Sequence, residues 1–304
     1  MVLHVRPALP KPPEVDYDLA RKVARVVGPL LKAYFRTRVE GLENIPAGRS
    51  LLVGVHSGGI VPVDALALGA AFYEHFEYQR SLQFLAHQLL WRISPEVTRI
   101  MEGIGGVEAS PESGQALLEA ERTVMVYPGG TYEVFRPFWE RNRIDWNGHM
   151  GYVRLAVRTR TPIVPVPSVG AHEQFIGLTR GLALNRLVGL GKLLGRVEIL
   201  PLLWTFPFGP TVAFLPPYLP LPAQVTVRCE EPMELHSTAA GRQVFRRNPK
   251  GDPEHLMTLH RMVQARMQAG LDGLARGRIP FLGRIPALER LGRVLGARPD
   301  RPAA

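Results

Sequence analysis

The sequence predicts an α/β fold, a mostly parallel central sheet flanked by helices, with helical extensions at the N- and C-terminal ends. Two patterns point there. Apolar runs of strand length recur at Leu51–Val55, Leu82–Ala86, Thr123–Tyr127 and Ile163–Val169, with helical patterns between them. Three loops, HSGGIVPVD, YPGGTYE and SVGAHE, follow three of those runs. A parallel sheet puts its strand ends on one side, so these loops line one site. With 304 residues, 46% of them hydrophobic, the chain is long enough for one large core or two ordinary ones.

The elements follow in order. From Asp16 to Tyr34, apolar residues recur at three- and four-residue steps, with Arg21, Lys22, Arg25, Lys32 and Arg36 mostly between them. This is a basic amphipathic helix, suited to a membrane interface or to packing on the domain. Gly28-Pro29 is expected to kink or split it. VEGLENIPAG, residues 39–48, is a short strand and turn. It feeds the buried strand Leu51–Val55, which stops at His56. Asp64 opens the helix that runs to Phe76. A strand at Leu82–Ala86, a helix at Leu89–Ile93 and a strand at Ile104–Val107 follow. Ser110-Pro111-Glu112 starts a helix to about Arg122, with proline in its first turn. The strand Thr123–Tyr127, a helix at Gly151–Thr159 and the strand Ile163–Val169 continue the alternation, and Val225–Cys229 is a last strand. Pro253–Leu274 is a helix with Leu256, Leu259, Met262/Val263, Met267 and Leu271 on one face. Three regions result: 1–38, an amphipathic helical segment; 39–236, the α/β domain; and 237–304, a helix and basic tail.

Most of the formal charge of +10 sits at the ends. Residues 1–40 hold eight Lys/Arg against four Asp/Glu, and residues 270–304 hold seven against three. No basic patch interleaved with aromatics and no nucleic-acid-binding module accompanies them, so nucleic acid is not the expected partner. Basic ends around an apolar body suit an anionic membrane surface. Cys229 is the only cysteine, which excludes a disulfide framework and a thiolate metal site. The opening MVLHVRPALPKPP lacks the apolar h-region of a signal peptide, and the expected compartment is reducing and intracellular.

Candidate chemistry gathers at the three loops. A strand ending in His56 and a helix beginning near Asp64 bring imidazole and carboxylate to the sheet's edge. A neutral histidine oriented by a carboxylate is a competent general base for a hydroxyl; the plainer alternative is that both cap a turn. Ser57, Gly58 and Gly59 form a flexible elbow beside His56. Tyr127, Pro128, Gly129 and Gly130 form a tight turn whose backbone N–H groups suit a phosphate or the oxyanion of a tetrahedral intermediate. Arg136, Arg141, Arg143 and Arg154 lie after that turn and are candidates for the phosphates of a donor. His172-Glu173 fails the zinc-binding spacing because Ile176 stands where the second histidine is needed. The Gly-x-Ser-x-Gly elbow of serine hydrolases is absent around Ser57.

The order His56…Asp64, then Tyr127-Pro128-Gly129-Gly130, then Ile163-Val164-Pro165-Val166 resembles the lysophospholipid (glycerolipid) acyltransferase superfamily over roughly residues 35–235. VEGLENIPAGRSLLVGVHSGG is similar to that family's approach to its first motif, and TPIVPVPSVG to its last. The resemblance implies an acyltransferase-like fold and transfer of a fatty acyl group from acyl-CoA, or acyl carrier protein, to a lipid hydroxyl. His56 would be the general base and Asp64 its orienting partner. No acyl-enzyme would form, and no cofactor beyond the acyl co-substrate and no metal would be needed.

The sequence departs from the family pattern in informative places. Seven residues separate His56 from Asp64 where the usual motif has four. The third motif lacks the Glu and Arg of the phosphatidate-forming members. Pro-Gly-Gly followed by Glu133, and Ser-x-Gly-x-x-Glu ending at Glu173, resemble instead the type 2 diacylglycerol acyltransferase branch. That implies a neutral acylglycerol or alcohol acceptor, with Glu133 and Glu173 as the matching site carboxylates. The alternatives are a 1-acylglycerol-3-phosphate or other lysophospholipid acyltransferase, and a non-catalytic lipid-binding membrane protein.

Residues 199–227 contain no formal charge. The stretch is long enough to span a bilayer, but seven prolines between Pro201 and Pro222 exclude a continuous helix. It reads as a folded apolar segment that covers an acyl-binding groove or dips into the interface, with Trp204 and Tyr218 at headgroup depth. The resulting expectation is a peripheral protein on the cytoplasmic face of a membrane.

Overall fold

The structure, a computed structural model, describes residues 11–57, 59, 61–188, 199–212 and 218–285. Helix α1 (Tyr17–Tyr34) is capped by Asp16, whose carboxylate accepts the Leu19 N–H at 2.9 Å. It is one helix and is not split at Pro29. Arg25 and Pro29 are both exposed, so the carbonyl deprived of its partner by the proline faces water. Strand β1 (Arg38–Glu40) leads to β2 (Ser50–Gly54), α2 (Val63–His75) and β3 (Leu82–Ala86). Then come α3 (Pro95–Gly103), β4 (Gly106–Glu108), α4 (Pro111–Glu119), β5 (Thr123–Val126), α5 (Gly130–Val134), α6 (Gly151–Thr159) and β6 (Ile163–Val166). After β7 (Ser168–Val169) and β8 (Ile176–Thr179) lie α7 (Leu182–Val188), β9 (Leu202–Thr205) and β10 (Gly209–Val212). The described chain closes with β11 (Thr226–Arg228), α8 (Ala239–Gln243) and α9 (Pro253–Ala275).

The central sheet has the order β4-β3-β5-β2-β6, and every pairing in it is parallel. Strand β2 lies inside it, with Leu51 opposite Val124 on one side and Ile163 on the other. It is buried along its whole length, as a strand covered on both faces must be. Leu51 and Val53 point to a core built with Leu117 of α4, Val153 and Ala156 of α6 and the apolar stripe of α9. Leu52 points the other way, to Leu68 and Phe72 of α2 and Leu31 of α1. The period-two alternation of one strand thus supplies both layers.

Three elements differ from the expected ones. Gln88–Arg92 is a 3-10 turn, and the α-helix comes after it as α3, capped by Ser94 with Pro95 in its first turn. Ile163–Val169 breaks at Pro167: β6 stays in the central sheet, while β7 joins a small sheet of order β1-β11-β7. Pro167 has no N–H to carry the ladder through. Within 199–227, β9 and β10 form an antiparallel hairpin paired to β8. Trp204 is half-exposed there, but Tyr218 is buried against Phe175, their ring centroids 5.9 Å apart, and does not reach an interface. Among the described residues no helix is long and apolar enough to cross a membrane.

Candidate active site

His56 lies two residues beyond β2, at the carboxyl end of the parallel sheet where α/β folds gather their ligands. Its peptide is held from both sides. The His56 N–H donates to Glu133 Oε2 at 2.8 Å, and the His56 carbonyl accepts from Arg136 Nη1 at 3.2 Å. Glu133 and Arg136 are both buried and belong to the segment that follows the Pro-Gly-Gly turn. Gly129 makes room for this arrangement, since a Cβ there would come within 2.5 Å of the Glu133 carboxylate.

The imidazole lies against the Tyr127 ring, centroids 4.7 Å apart and planes inclined by 30°. Nδ1 is buried without a hydrogen-bond partner, while the residue as a whole is only half-buried. Burial, helped by the Arg136 charge, lowers the imidazole pKa to about 4, so the ring is neutral at physiological pH. Burial also pushes the Tyr127 phenol well above its ordinary value and the Glu133 carboxyl up to about 8, with Arg136 opposing the latter.

Asp64 does not hydrogen-bond His56. It is buried in the first turn of α2, where Oδ2 accepts from Ser57 Oγ at 3.1 Å and Ser168 Oγ at 3.3 Å, and Oδ1 accepts the Ala65 N–H at 2.9 Å. The longer spacing explains this: Ser57 and the elbow intervene, so the carboxylate ties the His56 turn to α2 and β7 instead of touching the ring. Burial raises its pKa to about 6 against the pull of these hydrogen bonds. Gly59 continues the turn at φ +64, with Phe175 and Tyr218 packed so close that a side chain has no room. Gly58 lies outside the described residues.

Arg136 and Glu173 are not placed as expected for donor and acceptor binding. Arg136 is 1% exposed, and its guanidinium donates to the carbonyls of His56, Glu133 and Arg141, which removes it as a phosphate ligand. Arg154 is exposed on α6, whose neighbouring Tyr152 and Val153 face the core. Glu173 is buried and engaged by the C-terminal segment: Arg278 Nη1 donates to it at 2.8 Å and the Phe281 N–H at 2.7 Å. Pro128 offers its carbonyl to His149 Nδ1 at 3.0 Å, and Gly130 turns at φ +48. Sequence reasoning missed Ser168 and the true role of His172, whose Nε2 donates to the Arg136 carbonyl at 2.7 Å.

The chain is similar to known proteins in sequence and in fold. A family model named Acyltransferase covers residues 36–169, the span that carries His56, Asp64, the Pro-Gly-Gly turn and Arg136. These matches support a place for the chain in the glycerolipid acyltransferase superfamily. The uncharacterized protein Rv0502 of Mycobacterium tuberculosis is 32% identical over 198 residues, 60% of this chain and 55% of that protein. The chain therefore spans about half the length of the mycobacterial relative it matches. The DGAT1/2-independent enzyme synthesizing storage lipids of Mus musculus is 24% identical over 46% of this chain and 41% of its own length. The fold is that of the 1-acyl-sn-glycerophosphate acyltransferase PlsC from Thermotoga maritima. That structure has a TM-score of 0.52 and 16% identity, with 84% of this chain and 80% of that one aligned.

Proposed function

We propose that this acyltransferase-superfamily chain moves a fatty acyl group from acyl-CoA to the hydroxyl of a neutral lipid, an acylglycerol or an alcohol, at a membrane surface on its cytoplasmic face. The observation that carries the proposal is the half-buried, neutral imidazole of His56, held by its own peptide at the open end of the sheet. His56 Nε2 takes the proton of the acceptor hydroxyl as its oxygen attacks the thioester carbonyl. The tetrahedral intermediate collapses, the carbon–sulfur bond breaks, and the imidazolium returns the proton to the departing thiolate. The thioester is already activated, so no acyl-enzyme is required.

Two findings favour a neutral acceptor. The guanidinium nearest His56, Arg136, is enclosed and satisfied by carbonyls, which leaves it unavailable to a phosphate. One relative is named for making storage lipids, and a second, 27% identical over 44% of this chain, is the Phytyl ester synthase 1 of Arabidopsis thaliana. The test is transfer of radiolabelled acyl-CoA to a panel of diacylglycerol, monoacylglycerol, long-chain alcohols and lysophosphatidate, with His56→Ala beside the wild type. Labelled neutral lipid that disappears in a folded His56→Ala variant is the expected result. Labelled phosphatidate would overturn the acceptor class, and full activity in His56→Ala would overturn the base. No transfer from CoA or carrier-protein donors would favour a lipid-binding protein without turnover.

A further inference from the structure

Two stretches far apart in sequence place exposed apolar side chains on one connected surface. On α1, Val26, Leu30 and Tyr34 are exposed, Val26 by 75% and Leu30 by 61%. The Tyr34 hydroxyl donates to the Pro220 carbonyl at 2.7 Å, which fixes the end of α1 to the uncharged 199–227 stretch. Next to Pro220, Leu219 is 60% exposed, and its N–H donates to the Phe206 carbonyl at 2.9 Å. Phe206 begins the tip of the β9–β10 hairpin, which closes through the Thr205–Gly209 pair. Phe206 and Phe208 each leave about half of their surface in water. A monomer rarely leaves so many large apolar groups together without a partner for them.

We infer that the α1 face and the tip of the β9–β10 hairpin together form the surface that docks on an anionic lipid bilayer, an inference that rests on the acyl-transfer reading only for its purpose. Charge identifies the partner. Lys22, one turn before Val26, and Arg25, next to it, are exposed on α1, and residues 199–227 contribute no carboxylate. Anionic headgroups neutralise such cations, whereas a second copy seated across a two-fold axis would bring two sets of them together. Aromatic and leucine side chains at a loop tip beside a basic helix face suit insertion at headgroup depth. Position identifies the purpose. Tyr218, adjacent to Leu219, packs on the Gly59 turn that follows His56, so the docking face borders the candidate site. A lipid acceptor then reaches His56 from the bilayer without crossing water.

The test is co-flotation of the full chain with vesicles of phosphatidylcholine, with and without phosphatidylglycerol. Three proteins are compared: wild type, the Phe206→Ser/Phe208→Ser double variant and Leu30→Ser. All substituted positions are exposed and outside the site, and a melting curve checks each fold. The expected result is wild-type binding that depends on phosphatidylglycerol and falls at least roughly tenfold in either variant, with melting unchanged. Undiminished flotation of the double variant would overturn the proposal, as would a dimer in sedimentation that the substitutions dissolve while vesicle binding stays. Flotation needs no turnover, so it reads the docking face even if acyl transfer fails. Transfer to a short-chain, water-soluble alcohol without vesicles is expected to be equal in all three proteins.

Discussion

The backbone N–H of His56 and the carboxyl of Glu133 meet at 2.8 Å, although they lie 77 positions apart in the chain. The bond lies opposite the one from Arg136 to the His56 carbonyl, so a buried pair from one loop fixes the peptide that carries the imidazole. Glu133→Ala leaves the His56 N–H without its acceptor and is expected to cost about 1–3 kcal/mol. Glu133→Gln keeps an acceptor oxygen and is expected to melt close to wild type. If Glu133 positions His56, kcat falls in Glu133→Ala with little change in KM, and Glu133→Gln restores most of it. Acyl-transfer kinetics alongside thermal melts check this.

Stability should respond to pH through the same carboxyl. Burial raises the Glu133 pKa to about 8, so the native state keeps a proton that the unfolded chain, near 4.5, has lost. Where the native state binds more protons, stability falls as pH rises. Asp64, raised to about 6, acts in the same direction up to that pH. His56, lowered from 6.5 to about 4, acts in the opposite direction, adding stability as pH rises through that window. Between about pH 6.5 and 8 Glu133 acts without these two. Urea melts are expected to show stability declining across that interval in wild type and a weaker slope in Glu133→Gln. Equal slopes would mean that the carboxyl is ionised in the fold.

The same shifts bear on the reaction. A general base must be deprotonated, and His56 in the free protein stays neutral down to about pH 4. The acid limb of kcat/KM is therefore expected well below the ordinary imidazole value, measured with protein shown to be folded at each pH. A limb at the ordinary value would place the imidazole in a wetter setting than the one the Tyr127 ring and Arg136 create. Tyr127→Phe keeps the ring stacked on His56 and is expected to retain the limb.

The parallel sheet was legible because β2, β3, β5 and β6 are short apolar runs between helical patterns, and packing on both faces rewards that pattern. Helix α3 carries an equally legible signal: Ser94-Pro95-Glu96 repeats the start of Ser110-Pro111-Glu112, and both serines cap their helices. His56, Glu133 and the Pro-Gly-Gly turn come together as their motif order suggested. The role of each group is less legible, because it depends on contacts that spacing does not encode. Arg136 reads as a free cation in sequence, but its guanidinium meets carbonyls 5 and 80 residues away. Asp64 reads as the partner of His56, but Ser57 and Ser168 reach its carboxylate in the fold.

Glu173 gives the last case, since the group that engages it lies 105 residues away in the C-terminal segment. Arg278 and Glu173 are almost completely enclosed, at 4% and 2% side-chain exposure, and the Phe281 N–H adds a further bond to the carboxylate. Phe281 in turn stacks on Phe138, ring centroids 5.7 Å apart, next to the loop that holds Arg141. Glu173→Ala leaves the enclosed Arg278 charge without its carboxylate and is expected to cost about 3–5 kcal/mol, and Arg278→Ala is expected to cost less, because Arg141 at 3.9 Å and the Phe281 N–H still face the Glu173 carboxylate. Removing both should cost less than the two separate losses combined, which a double-mutant cycle measures directly. If the pair straps the C-terminal segment to the fold, limited proteolysis near residues 276–284 accelerates in both single variants. A cycle with no coupling would show that the segment is held by Phe281 and the Arg36 contact to its carbonyl instead.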